Sequence, residues 1–120
     1  VPGVDISKNP TITLKDGSEA CWLFVKIDES TNFDNFMTYN VDSAWTWLSE
    51  GVYYIDAPAA DGDVNYPVLK DNKVTVDEDV TSDELQAVKN SDQPKLSFTA
   101  YAVQRVGFND VNDAWTEANK

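Results

Sequence analysis

Thr11 to Leu14 alternates polar and apolar residues, and the turn signal Asp16-Gly17 follows it. The pattern predicts a short strand that closes in a hairpin-type reversal before a longer strand. That longer strand is read from Glu19 to Asp28. Cys21, Leu23, Val25 and Ile27 fall on one face, and Ala20, Trp22 and Phe24 on the other. With both faces apolar, it belongs in the middle of a sheet. From Glu29 to Asn40 the chain turns polar and irregular around Phe33, Phe36, Met37 and Tyr39, which predicts a loop pinned by its own aromatic rings.

Trp45 to Leu48, then Glu50-Gly51, then Val52 to Ile55 predict a second hairpin. Ala57 to Asp63, with Pro58 and Asp61-Gly62-Asp63, predicts a loop tip. Tyr66 to Leu69 and Lys73 to Val76 read as strand pieces split by Asp71-Asn72. Thr81-Ser82-Asp83-Glu84 has the form of a capping box, with Val80 and Leu85 as its staple, and opens a brief helix over about residues 82–90 that Pro94 prevents from continuing. Leu96 to Val103 is the strongest strand, with Leu96, Phe98, Ala100 and Ala102 opposite Thr99, Tyr101 and Val103. A last helix over about 110–118, capped by Asn109, aligns Val111, Ala114, Trp115 and Ala118, so Trp115 docks it onto the sheet.

About seven short strands with two small helices predict a mainly β, antiparallel two-sheet sandwich. A chain of 120 residues is one domain, residues 1–120. Its four Trp, five Tyr and five Phe are enough to build a core without a disulfide or metal.

Charge narrows the partners. A net charge of −12 repels phosphate backbones and anionic lipid surfaces, which argues against nucleic acid and against membrane attachment. No apolar run approaches the roughly 20 residues of a spanning helix. The chain opens at Val1-Pro2-Gly3 without Met, which reads as an excised mature region or a truncated chain.

Candidate chemistry is sparse. The chain contains no His, which removes Ser-His-Asp and Cys-His nucleophile systems and H-E-x-x-H zinc sites. A single cysteine, Cys21, excludes a multi-thiolate centre within one chain and reads as a small buried hydrophobe. No Gly-rich phosphate loop occurs. Two carboxylates across a cleft would suffice for a glycosidase, but no arrangement singles out a pair, so the reading is of a protein that is not an enzyme. The candidate calcium ligands are Asp61 and Asp63 in one loop and Asp77 and Asp79 in another; neither loop has the EF-hand spacing, and plain turn chemistry is the blander reading. Trp45, Trp47, Tyr53 and Tyr54, with Trp22 and Tyr66, are candidates for an aromatic platform that stacks sugar rings; core packing is the alternative.

Three stretches, Pro2 to Pro10, Gly17 to Lys26 and Phe98 to Gln104, together with Gly107 to Trp115, resemble the exported SipW-dependent proteins of Gram-positive bacteria, the TasA/camelysin-like family. The resemblance implies a jelly-roll-like β-sandwich, secreted or held at the cell surface. It also implies subunits that build matrix or biofilm fibres by lending a strand to a neighbour's open edge, so the partners would be copies of the same protein or other surface proteins. In that family the Pro-Gly motif follows further N-terminal strands, so an N-terminal part of the fold is expected to be missing here. Camelysin-like members are described as metallopeptidases. With no His to ligate zinc, that activity is carried onto no residue of this chain. The first expectation is therefore a secreted or surface structural protein, and the second a carbohydrate- or ligand-binding sandwich using exposed Trp and Tyr.

Overall fold

The computed structural model describes residues 4–6, 10–77, 82–88 and 93–120. Among these lie nine strands and three helices: β1 Val4–Ile6, β2 Thr11–Leu14, β3 Cys21–Glu29, α1 Phe33–Phe36, β4 Met37–Val41, β5 Thr46–Ser49, β6 Val52–Ala57, β7 Val64–Pro67, β8 Leu69–Val76, α2 Ser82–Gln86, β9 Leu96–Gln104 and α3 Val111–Ala118. The protein is mainly β, and every ladder among them is antiparallel.

The largest sheet has the order β5-β6-β3-β9. β3 is central in it, as its two apolar faces require: residues 21 to 25 are all buried. Because side chains alternate across a strand, Cys21, Leu23, Val25 and Ile27 enter one core while Trp22 and Phe24 enter another. The first core is closed by β2, β4, β7, β8 and the Val68 link between the last two, which bring Ile12, Leu14, Tyr39, Val41, Val64, Tyr66, Val68 and Leu69 over that face. The second is closed by α3, which lays Val111, Ala114, Trp115 and Ala118 on Trp22, Phe24 and Val103. Fully burying a side chain such as Leu23 or Phe24 stabilises the fold by about 1.5–3 kcal/mol.

The covering strands form two small sheets, β1-β2-β7 and β4-β8. Val68, between β7 and β8, stitches them together: its N–H donates to the Pro10 carbonyl and its carbonyl accepts from the Asp42 N–H, each at 2.8 Å. The result is sandwich-like, two β layers with a helix packed outside one of them.

Four local expectations need correction. Asp16-Gly17 does turn, with Gly17 at φ +82°, but β2 and β3 are not a hairpin. β2 pairs with β1 and β7 while β3 pairs with β6 and β9, so the turn carries the chain from one layer to the other. The loop expected over residues 29–40 holds a single helical turn and the strand β4; Phe33 is buried there and packs edge-on to Tyr39, 5.8 Å between ring centres. Asp71 and Asn72 adopt the left-handed conformation their turn signal suggests, at φ 56° and 54°, without ending the strand. They sit instead in a bulge within β8, where residues 70–73 face only Asn40 between the pairs Val41–Leu69 and Tyr39–Val74. The cap of α3 is Asp110, whose carboxylate accepts from the Asn112 N–H at 2.8 Å, rather than Asn109.

The second hairpin forms as expected between β5 and β6. α2 spans Ser82–Gln86, within the expected range; Val80 and Thr81, and with them the capping box, lie outside the described residues.

Candidate functional site

Two features stand out among the described residues, a strand edge with no ladder partner and a polar cleft. The edge belongs to β9. Its ladder with β3 runs without a shift from Leu96–Glu29 to Gln104–Cys21. The Ser30 N–H bonds the Lys95 carbonyl at 2.9 Å and the Arg105 N–H bonds the Ala20 carbonyl at 3.0 Å. In an antiparallel ladder bonded pairs alternate. Trp22–Val103, Phe24–Tyr101, Lys26–Thr99 and Asp28–Ser97 are therefore the bonded pairs between these two ends. Leu96, Phe98, Ala100, Ala102 and Gln104 consequently turn their N–H and C=O groups away from β3.

Among the described strands none pairs with that outer edge; β1 approaches β9 but joins only the β2 ladder. Natural edges are blunted by charge, Pro or bulges. β9, Leu-Ser-Phe-Thr-Ala-Tyr-Ala-Val-Gln, carries none of these. The other edges are shorter or interrupted: β5 has four residues and a register shift, β7 ends in Pro67, and β8 carries the Asp71–Asn72 bulge and two Lys.

The cleft lies where the end of β3, α1 and β4 meet β6. It has a volume of about 380 Å³ and is lined by Glu29, Asp34, Tyr39, Asn40 and Tyr53, among others. The Tyr39 hydroxyl donates to Glu29 Oε2 at 3.2 Å. Glu29 and Asp34 are close enough to hydrogen-bond. Burial, then that bond, raises the Glu29 pKa above the usual Glu value, partly offset by the Tyr39 hydroxyl. Burial and the Glu29 charge push the Tyr39 phenol up in turn.

The sequence singled out none of Glu29, Asp34, Tyr39 or Asn40. The available signal was the alternation of β3 itself, since Glu29 continues the series Cys21, Leu23, Val25, Ile27 and so places a carboxyl at the end of a core face.

The aromatic candidates scatter. Trp45 is buried in the first core, with its indole N–H on the Pro67 carbonyl at 2.8 Å, so it offers no stacking face. Tyr54 lies on the opposite side of the sheet, edge-on to Trp22 at 5.8 Å, and Trp22 is itself buried beneath the Arg105 guanidinium. Tyr66 packs into the first core. Trp47 and Tyr53 remain. They are register partners on β5 and β6, sharing one face, and Trp47 is 63% exposed.

The calcium candidates do not converge either. Asp63 is engaged in a clasp between two loops. Its carboxylate accepts from the Asp16 N–H and the Asp16 carboxylate accepts from the Gly62 N–H, both at 2.8 Å, beside backbone bonds between Gly17 and Ala60 and between Ala60 and Ser18. Asp61 is exposed in the same loop, Asp77 follows β8, and Asp79 lies outside the described residues. Among the described residues no group of three or more Cys, Asp or Glu side chains is arranged to hold a metal. Cys21 is fully buried, and burial, then the Asp56 charge, push its thiol up to about 11. No helix is long and apolar enough to cross a membrane among the described residues.

No family model, curated protein or solved structure matches this chain.

Proposed function

We propose that this domain is a structural subunit, secreted or displayed at the cell surface, that assembles with copies of itself or with other surface proteins by accepting an added strand at an open sheet edge. The observation that carries the reading is β9. It is nine residues long, free of charge, Pro and bulge, and directs an uninterrupted row of backbone donors and acceptors outward. An added strand satisfies such groups, and pairing along an edge of this length supplies a run of main-chain hydrogen bonds. The resemblance to the TasA/camelysin-like family supports export, a jelly-roll-like arrangement and a role in a matrix or fibre.

The test is electron microscopy and size-exclusion of the full-length mature protein beside two edge variants. Ala100→Pro removes an outward N–H without breaking a bond to β3, and Thr99→Lys places a charge on an exposed position of the same strand. Assembly by the wild-type protein that is lost or strongly reduced in both folded variants is the expected result. A wild-type protein that stays monomeric at every concentration and salt, or edge variants that assemble as well as wild type, would overturn the proposal.

A further inference from the structure

We infer that the cleft between the end of β3, β4 and β6 binds an uncharged sugar ring, with Trp47 at its rim as the stacking platform. Its volume of about 380 Å³ falls in the range of small-molecule sites, about 300–1,000 Å³. Two observations of different kinds meet there. The first is aromatic. Trp47 and Tyr53 are direct cross-strand partners, so their Cβ atoms stand about 5 Å apart on one face. Tyr53 lines the cleft, and Trp47, its cross-strand partner, is 63% exposed. A Trp left this open gains little from folding, and its apolar face is suited to the C–H face of a pyranose.

The second observation is polar. Sugar hydroxyls are donors and acceptors at once, and the cleft answers with groups of the same double character. Asn40 offers an amide and Tyr39 a phenol, each able to give and accept, and Glu29 and Asp34 add carboxyl oxygens as acceptors. Among the described residues no Lys or Arg lines this cleft. Together with a net charge of −12, that disfavours phosphorylated, sulfated or uronic sugars and leaves neutral ones. The site uses no residue of β9, so it stands or falls independently of strand addition.

The full chain is titrated by calorimetry with neutral cello-, xylo-, manno- and chito-oligosaccharides, with an oligogalacturonate, and with spermidine as a cationic probe of the carboxyl pair. Backbone and indole amide NMR locates any response. At least one neutral oligosaccharide should bind saturably and shift Trp47 and Asn40 signals. Trp47→Ala should weaken that binding by about tenfold or more. Asn40→Ala should weaken it severalfold. Both side chains are exposed, so both variants should keep the wild-type melting temperature. The inference fails if no neutral oligosaccharide binds at about 10 mM, if binding ignores Trp47→Ala, or if spermidine alone or the oligogalacturonate alone binds.

Discussion

Phe24→Ala tests the claim that β3 serves two cores. Phe24 is fully buried on the face away from the larger core, and its ring lies 5.1 Å from that of Trp115 on α3. In a sandwich with a single core, residue 24 would face solvent and its truncation would cost a few tenths of a kcal/mol. Here the substitution removes a whole ring from beneath a docked helix. Phe→Ala in a packed core costs about 3–5 kcal/mol, from lost transfer energy and from the cavity left behind. A domain of this size holds roughly 6–18 kcal/mol in all, at about 0.05–0.15 kcal/mol per residue. The loss is therefore a large share of the total and should lower the melting temperature by about 10–20 °C.

The assay is urea unfolding followed by far-UV circular dichroism, comparing wild type, Phe24→Ala, Trp115→Ala and the double variant. Because the two rings touch, the double variant should lose less than the sum of the singles by about 0.5–1.5 kcal/mol. Trp47→Ala, at an exposed position, should change stability by less than about 0.5 kcal/mol and serves as the control. A Phe24→Ala loss below about 1 kcal/mol, or strict additivity with Trp115→Ala, would refute the helix-covered second core.

Three further outcomes follow from single residues. Gly51 has φ +72° and a Cβ built there would stand 2.8 Å from the Ile27 carbonyl oxygen, so Gly51→Ala should destabilise by about 1–3 kcal/mol, read by the same unfolding curves. No loss would mean that the β5–β6 hairpin relaxes freely. Cys21, with its thiol raised to about 11 from 9.0, should resist thiol reagents in the native state and react on unfolding. Because the folded state holds that proton more tightly than the unfolded state, the contribution is intact below about pH 9 and is lost as pH rises towards about 11. Cys21→Ser should flatten that part of the stability–pH curve. Asp110→Ala removes the α3 cap and should cost about 0.5–2 kcal/mol, whereas Asn109→Ala should be near neutral. The reverse order in thermal melts would assign the cap to Asn109.

The strand-edge and cleft proposals occupy different parts of one sandwich. β9 is an edge of the large sheet; the cleft opens where β3 ends and β6 faces β4.

Patterns that depend on near neighbours in the chain were legible from the residues alone. The two-faced alternation of β3 and of β9, the Gly51 hairpin and the apolar face of α3 each arise within a few residues, because side chains alternate along a strand and recur every three to four residues on a helix. The left-handed backbone at Asp71 and Asn72 was legible for the same reason. Its consequence was not, because whether such a pair ends a strand or bulges it depends on β4, a segment distant in the chain. The same limit governs Asp16-Gly17, where the turn is local but the partner of each flanking strand is chosen by distant segments. Aromatic candidates failed as a set because Trp45 and Trp47, two residues apart, differ chiefly in whether the opposing layer covers them, as it does Trp45 through the Pro67 carbonyl. The cleft was invisible for the strongest version of this reason: Glu29, Asp34, Asn40 and Tyr53 are ordinary polar and aromatic residues along the chain, and only the packing of β4 against the end of the large sheet brings them around one space.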